Sequence, residues 1–189
     1  MEVEMNLKSA ASTIAVPSIC LFGIAGEVIP QTSATGNLVA DAKMTMRAKL
    51  KERFQKDREL YGVEGLRKIE TAYRAYAKSK DVDNKDLQVL ITEFPKANRT
   101  GCAVMYAGQR ARGADDGRWF RLAIEKYGDC MYGSGAQVGA YARFYLAKHL
   151  EHKGDKEGCE KLQAEILKLY PDALTHRGGR MADFFRKGE

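Results

Sequence analysis

The sequence predicts an all-α fold in which antiparallel helical hairpins stack side by side. A four-residue pattern recurs at 94–97, 127–130 and 170–173, with an aromatic residue, a helix breaker, a polar residue and a small residue. The breakers Pro95, Gly128 and Pro171 are 33 and then 43 residues apart, a period typical of stacked helical hairpins. No segment shows sustained two-residue alternation, so strands are not expected.

Residues 1–34 are predicted to form a secretory leader. Ser9–Gly26 carries almost no charge and many small or apolar side chains, and Gln31–Ala34 supplies small residues before a cleavage point. Glu2 and Glu4 stand where a secretory signal usually has basic residues, and initiation at Met5 would restore a basic start. We expect export to the periplasm or cell envelope. The alternatives are an uncleaved anchor and a buried N-terminal helix of a cytoplasmic protein.

Residues 35–62 are predicted to form a basic helix that ends at Gly62. Met46, Leu50, Phe54 and Tyr61 fall near one apolar stripe. Within this segment, residues 43–58 hold about five of the six surplus positive charges of the chain. Between residues 43 and 58 the carboxylates are Glu52 and Asp57, and the cations are Lys43, Arg47, Lys49, Lys51, Arg53, Lys56 and Arg58. Such a helix attracts phosphates or anionic lipid headgroups. The alternative is a solvated face with pairs such as Glu52–Lys56.

Residues 63–174 are predicted to contain three helical hairpins. In the first, Gly65–Ala77 carries apolar residues at three- and four-residue steps, and a polar loop follows at 79–84. Asn84 is expected to cap the returning helix, which must end before Pro95.

The second hairpin is expected to run from Asn98 to about Arg112 and to return through 119–127. The third is expected to run from about Ala136 to Lys153, with Asp155 as the N-cap of the helix that returns to residue 170. Residues 175–189 are predicted to hold a short closing helix, 181–186, that covers the last apolar face.

The segment 128–135 lengthens the second interval of the pattern. Gly133 and Gly135 precede a helix and resemble a phosphate-cradling loop. However, no strand is predicted before them and no Lys-Ser or Lys-Thr pair follows them. A flexible connection between two hairpins is therefore the preferred interpretation.

In its spacing and residue types this region resembles tetratricopeptide repeats, whose helix-turn-helix unit has about 34 residues. In the third unit, from about residue 140 to 173, six residues match family positions: Leu146, Ala147, Leu150, Gly154, Cys159 and Pro171. In the second unit, Phe120 and Ala123 match, while Gly128 replaces the terminal proline. The family's tryptophan is missing, and Gln163 stands where an aromatic residue is common. Together with the leader, the pattern resembles bacterial cell-envelope proteins of this family.

The resemblance implies a binding surface. Tetratricopeptide domains bind extended peptides or partner helices on a concave surface made by the first helices of each hairpin. The alignment directs six residues of this chain toward that surface: Asn98, Gly101, Tyr141, Phe144, Lys148 and His152. Aromatic residues there would anchor a partner, and Lys148 would meet a carboxylate. The alternative is that Tyr141 and Phe144 only pack the junction between units.

The cysteines and histidines offer less specific signals. Cys102, Cys130 and Cys159 follow the leader and are expected to pack as small apolar residues. A single disulfide, most plausibly using Cys130, is the alternative in an exported protein. His149, His152 and His176 lack a carboxylate partner at a metal motif, so surface positions are expected and no metal site is predicted.

No nucleophile elbow, paired catalytic acid motif or dinucleotide fingerprint occurs. The sequence therefore predicts a protein without enzymatic activity or a cofactor. The predicted function is a protein- or peptide-binding adaptor of the bacterial cell envelope. One alternative is a cytoplasmic nucleic-acid-binding helical protein that uses residues 43–58; another is a small redox or metal protein that uses the cysteines.

Overall fold

The computed structural model describes residues 32–111, 113 and 116–185, with the backbone alone for 32–37 and 116. Within these ranges the protein is all-helical, which confirms the all-α part of the predicted fold class. Its α-helices are α1 (Thr32–Lys78), α2 (Lys85–Glu93), α3 (Asn98–Arg110), α4 (Asp116–Lys126), α5 (Val138–His152) and α6 (Lys156–Leu169). A short 3₁₀ helix, Met181–Phe184, follows. The predicted leader lies outside the described residues except for residues 32–34.

α1 consists of two helices joined end to end at Gly62. Gly62 has φ 61° and ψ −175°, a conformation that favours glycine because a side chain would clash there. The predicted stop is therefore confirmed. We call the first part of α1, residues 32–61, the strap.

The strap buries only part of its predicted apolar stripe. Met46 is 1% exposed and Leu50 is half-buried, whereas Phe54 is 50% exposed. Phe54 lies about 80° around the helix from Met46, at about 100° per residue. The prediction that Phe54 belongs to the buried stripe is wrong for this geometric reason.

Side-chain caps fix the starts of α2 and α6, as predicted. The Asn84 side chain accepts hydrogen bonds from the backbone N–H groups of Asp86 and Leu87, at 3.1 and 3.0 Å. Asp155 accepts one from Gly158 at 2.9 Å. Each cap satisfies N–H groups that have no partner inside the helix and contributes about 1 kcal/mol.

Successive helices pack against one another along the chain. α1 contacts α2, α3 contacts α4, α4 contacts α5, and α5 contacts α6; α3 also contacts α1 and α5. One continuous hydrophobic cluster draws residues from every helix. Its largest fully buried members are Tyr76, Ile69, Leu87, Leu90, Met105, Ile166, Met181, Val104 and Val138. No single hairpin therefore encloses its own core.

The recurring sequence pattern forms the same turn three times. After α2, α4 and α6, the N–H of the small residue donates to the carbonyl of the aromatic residue three positions earlier, always at 3.0 Å. The three pairs are Ala97 to Phe94, Cys130 to Tyr127, and Ala173 to Tyr170. The pattern is thus a backbone turn that ends each second helix.

The second and third turns share a further hairpin that the first lacks. Isolated antiparallel bridges join Met131 to Gln137 and Leu174 to Arg180, 43 residues apart. Equivalent glycines, Gly135 and Gly178, have φ 87° and 80°. The connection that follows the second turn therefore contains a defined hairpin, and residues 174–180 form its equivalent after the third turn. The absence of this hairpin after residue 97 explains the shorter first interval.

The strap contacts all three turns. Asp57 accepts a hydrogen bond from the N–H of Asn98, which directly follows the first turn, and Arg53 pairs with Asp129 in the second turn at 2.5 Å. Met46 packs with Met131 and Leu174 of the second and third turns in a separate small core. The three strap residues are four and seven residues apart, so the contacts cover about 16 Å of the helix.

Candidate functional site

An open groove of about 930 Å³ lies beside α5. Its described lining comes from α3, α4 and α5 and from the turn at 113: Gly108, Gln109, Ala111, Gly113, Phe120, Tyr145, Lys148, His149, His152 and Lys153. Phe120 and Tyr145 stack with their ring centroids 5.6 Å apart. The groove therefore has an aromatic floor and a rim that carries two lysines and two histidines.

The floor depends on a close approach of α4 to α3. A Cβ on Gly108 would lie 2.5 Å from the Phe120 ring, which is far inside van der Waals contact. Glycine at this position lets the Phe120 ring come close to the backbone of α3, and the same ring stacks on Tyr145.

A second, smaller cleft adjoins the groove at Tyr145. Its volume is about 340 Å³, and its lining is largely aromatic: Tyr141, Phe144, Tyr145, Thr175, His176, Arg177, Met181 and Phe184. Phe144 contacts both Phe184 and Phe185 with centroid distances of 6.1 Å. Phe185 is half-buried, whereas Phe184 remains 61% exposed. The closing segment thus covers part of this face and leaves an aromatic edge open.

Four of the six predicted site residues border these two cavities. Lys148 and His152 line the groove, and Tyr141 and Phe144 line the cleft. The Lys148 ammonium lies 5.2 Å from the Phe144 ring centroid, a cation–π distance. Tyr141 also packs internally, because its hydroxyl accepts a hydrogen bond from the N–H of His176 at 2.7 Å.

Asn98 does not belong to an open surface, which corrects the sequence-based placement. It is 3% exposed, and its side chain donates to the Met131 carbonyl at 2.8 Å and accepts from the Met131 N–H at 2.7 Å. Its backbone N–H donates to Asp57. All its polar groups near the turn are satisfied internally, so it joins α3 to the strap and to the second turn.

Gly101 is likewise buried and needs the same correction. A Cβ there would lie 2.5 Å from the Cys130 sulfur and 2.9 Å from the Tyr127 Cβ. The second turn covers this position, so Gly101 is not part of a surface that a partner could contact.

Asp57 is the most unusual charged group near these turns. It is 3% exposed, and its burial raises the pKa of the carboxyl, while the N–H of Asn98 and the Arg53 guanidinium oppose that shift. The Arg53 guanidinium lies 3.6 Å from the carboxylate and also donates to the Lys96 carbonyl. This cluster holds three segments together and is remote from the lining of the groove.

The sequence did not identify Gly108, Phe120, Tyr145 and His149 as lining residues. Tyr145 follows Tyr141 by four residues, so both lie on one face of α5. That spacing could have indicated a longer aromatic row. The contribution of Gly108 has no comparable local signal because it depends on a ring from α4.

Cys102, Cys130 and Cys159 are free thiols and are buried. Burial raises the pKa of Cys102 to about 12 and also raises the pKa of Cys130 and Cys159. A thiol with a raised pKa is a poor nucleophile near neutral pH. Among the described residues, no group of three His, Cys, Asp or Glu side chains is placed to hold a metal ion.

Within the loop 133–135, Gly135 serves a contact inside the protein. Gly135 is buried, and a Cβ there would lie 3.2 Å from the Met46 Cβ in the strap. The tight loop therefore lets the strap lie close to the second turn.

In the described part of the chain, no helix is both long and apolar enough to cross a membrane. No family model, curated protein or solved structure matches this chain.

Proposed function

We propose that this chain is a non-catalytic adaptor that binds a protein or peptide along the groove beside α5. In this proposal the hairpins stack as a short array of tetratricopeptide type. Support comes from the order of helix contacts, in which α3 touches both α1 and α5, and from the turn that recurs after α2, α4 and α6.

The observation that carries the proposal is the aromatic surface shared by the groove and the cleft. Tyr145 borders both cavities and stacks on Phe120 and Tyr141, with centroid distances of 5.6 and 6.2 Å. Phe120 and Tyr141 are buried and Tyr145 is half-buried, so the two buried rings hold in place an aromatic side chain of the kind that anchors protein interfaces. From Tyr141 to Lys153 this surface extends about 18 Å along α5, enough for about five residues of an extended peptide.

The cell-envelope location is part of the same proposal and rests on the sequence of the leader, residues 1–34. Mass analysis of the mature protein from its native host tests it. Cleavage near residue 34 is the expected result, and a soluble protein that retains Met1 or Met5 would contradict export.

Site-specific photo-crosslinking tests the binding surface. A photoreactive phenylalanine analogue at position 148 places the probe on the rim of the groove, and the same analogue at position 161 places it on the exposed surface of α6. We expect a discrete crosslinked product in native-host cells from position 148 that is absent from position 161. Equal products at both positions, or none at 148, would contradict the proposal.

A further inference from the structure

The outer face of the strap forms a second surface, which is strongly cationic. Arg47, Lys51 and Arg58 are exposed and lie within about 40° of one another on the helix, at about 100° per residue. Met44 and Phe54 flank the same sector and are 69% and 50% exposed. We call these five residues the outer sector.

Internal ion pairs do not neutralise the outer sector. Arg53 pairs with Asp57 and Asp129, and Lys56 pairs with Glu52 at 2.9 Å. Across the described residues, by contrast, no carboxylate lies within ion-pair distance of Arg47, Lys51 or Arg58. The outer sector is therefore available to an external anion.

The cationic surface continues onto the third turn. The Lys43 side chain reaches Gly178, with its Cε 3.4 Å from the position that a Cβ on that glycine would take. The neighbouring Arg177 is exposed. Lys43 and Arg177 thus extend the positive charge from the strap to the adjacent turn.

We propose that the outer sector binds an anionic lipid surface. Its cations lie on one exposed side of the strap, and the row from Met44 to Arg58 spans about 21 Å, so it fits a flat layer of headgroups. Met44 and Phe54 have no hydrogen-bonding groups and suit the boundary between headgroups and acyl chains. Nucleic acid would use the cations equally but would offer no apolar boundary for Met44. This inference is independent of the proposed groove function.

Vesicle flotation of the full chain tests the proposal. The probes are phosphatidylcholine vesicles with and without phosphatidylglycerol. One variant carries Arg47→Gln, Lys51→Gln and Arg58→Gln, and the matched control carries the same loss of charge on α6: Lys156→Gln, Lys161→Gln and Lys168→Gln. All six side chains are exposed, so both variants should keep the helical fold.

We expect the wild-type protein to bind only the anionic vesicles. Its affinity for them should fall about a hundredfold in the strap variant and change by about twofold in the α6 variant. Phe54→Ala should weaken binding about fivefold without a change of charge, because it removes only apolar contact. Absent binding, or equal losses in the two triple variants, would overturn the proposal. So would tighter binding to a DNA or RNA oligonucleotide that the strap variant abolishes.

Discussion

The buried carboxylate of Asp57 accepts the backbone N–H of Asn98 at 2.9 Å, although 41 residues separate the two in the chain. Asn98 is the first residue of α3, where N–H groups lack helical partners and negative charge is favoured. Because the Asn98 side chain also bonds the Met131 backbone twice, this contact links the strap, the first turn and the second turn.

Removal of the carboxylate should therefore destabilise the fold. We expect Asp57→Ala to lower the free energy of unfolding by about 2–4 kcal/mol, because it leaves the buried N–H of Asn98 without its acceptor and removes one of the two carboxylates that pair with Arg53. Urea unfolding followed by circular dichroism measures this. Asp41→Ala, an exposed site on the same helix, should change it by less than about 0.5 kcal/mol. Similar losses in both variants would contradict the role assigned to Asp57.

The same carboxyl should make stability depend on pH in a defined direction. Burial raises its pKa in the folded state above the ordinary value of 3.8, so the folded protein binds this proton more tightly than the unfolded chain does. The proton-linked part of the stability is therefore fully present below pH 3.8 and is lost as pH rises through the folded-state pKa, and the contacts of the ionised carboxylate remain above it. Relative to Asp57→Asn, the wild type should therefore lose stability as pH rises above 3.8. If the difference in unfolding free energy between the two proteins did not change with pH, or grew in favour of the wild type as pH rose, a raised pKa would be excluded.

Met46 should carry much of the packing between the strap and the turns. Met46→Ala should cost about 2–4 kcal/mol, since it leaves a cavity beside Met131 and Leu174. Met44→Ala, two residues away and 69% exposed, is the matched control and should change stability by less than about 0.5 kcal/mol. Thermal and urea unfolding measure the stability of both variants. Equal losses of stability in Met46→Ala and Met44→Ala would contradict the packing of the strap on the turns.

Gly108 should be intolerant of a methyl group. Gly108→Ala places a Cβ 2.5 Å from the Phe120 ring, and we expect a loss of about 1–3 kcal/mol from the resulting overpacking. Gly133→Ala is the control, because a Cβ there meets nothing within 4 Å. Unfolding curves that rank the two substitutions equally would contradict the close approach of α4 to α3.

The sequence predicted the features that depend on neighbouring residues. The break at Gly62 and the caps at Asn84 and Asp155 follow from backbone freedom and from short side chains that bond the next turn of helix. The spacing of the three breakers predicted the helical hairpins for a similar reason, since it marks where each second helix must end.

Features that depend on distant residues were not predictable in the same way. The burial of Asn98 requires Asp57 from one segment and Met131 from another. The position of Phe54 on the open side of the strap became clear only once the partners of Met46 were known. The hairpin shared by residues 131–137 and 174–180 was predictable in part, because its equivalent glycines, Gly135 and Gly178, stand 43 residues apart in the sequence.

The affinity of the crosslinked partner for variants of the groove tests the central proposal most directly. Tyr145→Ala removes the ring that joins the groove and the cleft, and Lys148→Glu reverses an exposed charge on the rim. Leu169→Ala removes a side chain that is 54% exposed outside both cavities. We expect calorimetry to show losses of tenfold or more, of the order found at interface anchors, for the first two and about no change for the third. Equal affinity of all three variants and the wild type would contradict binding at the groove.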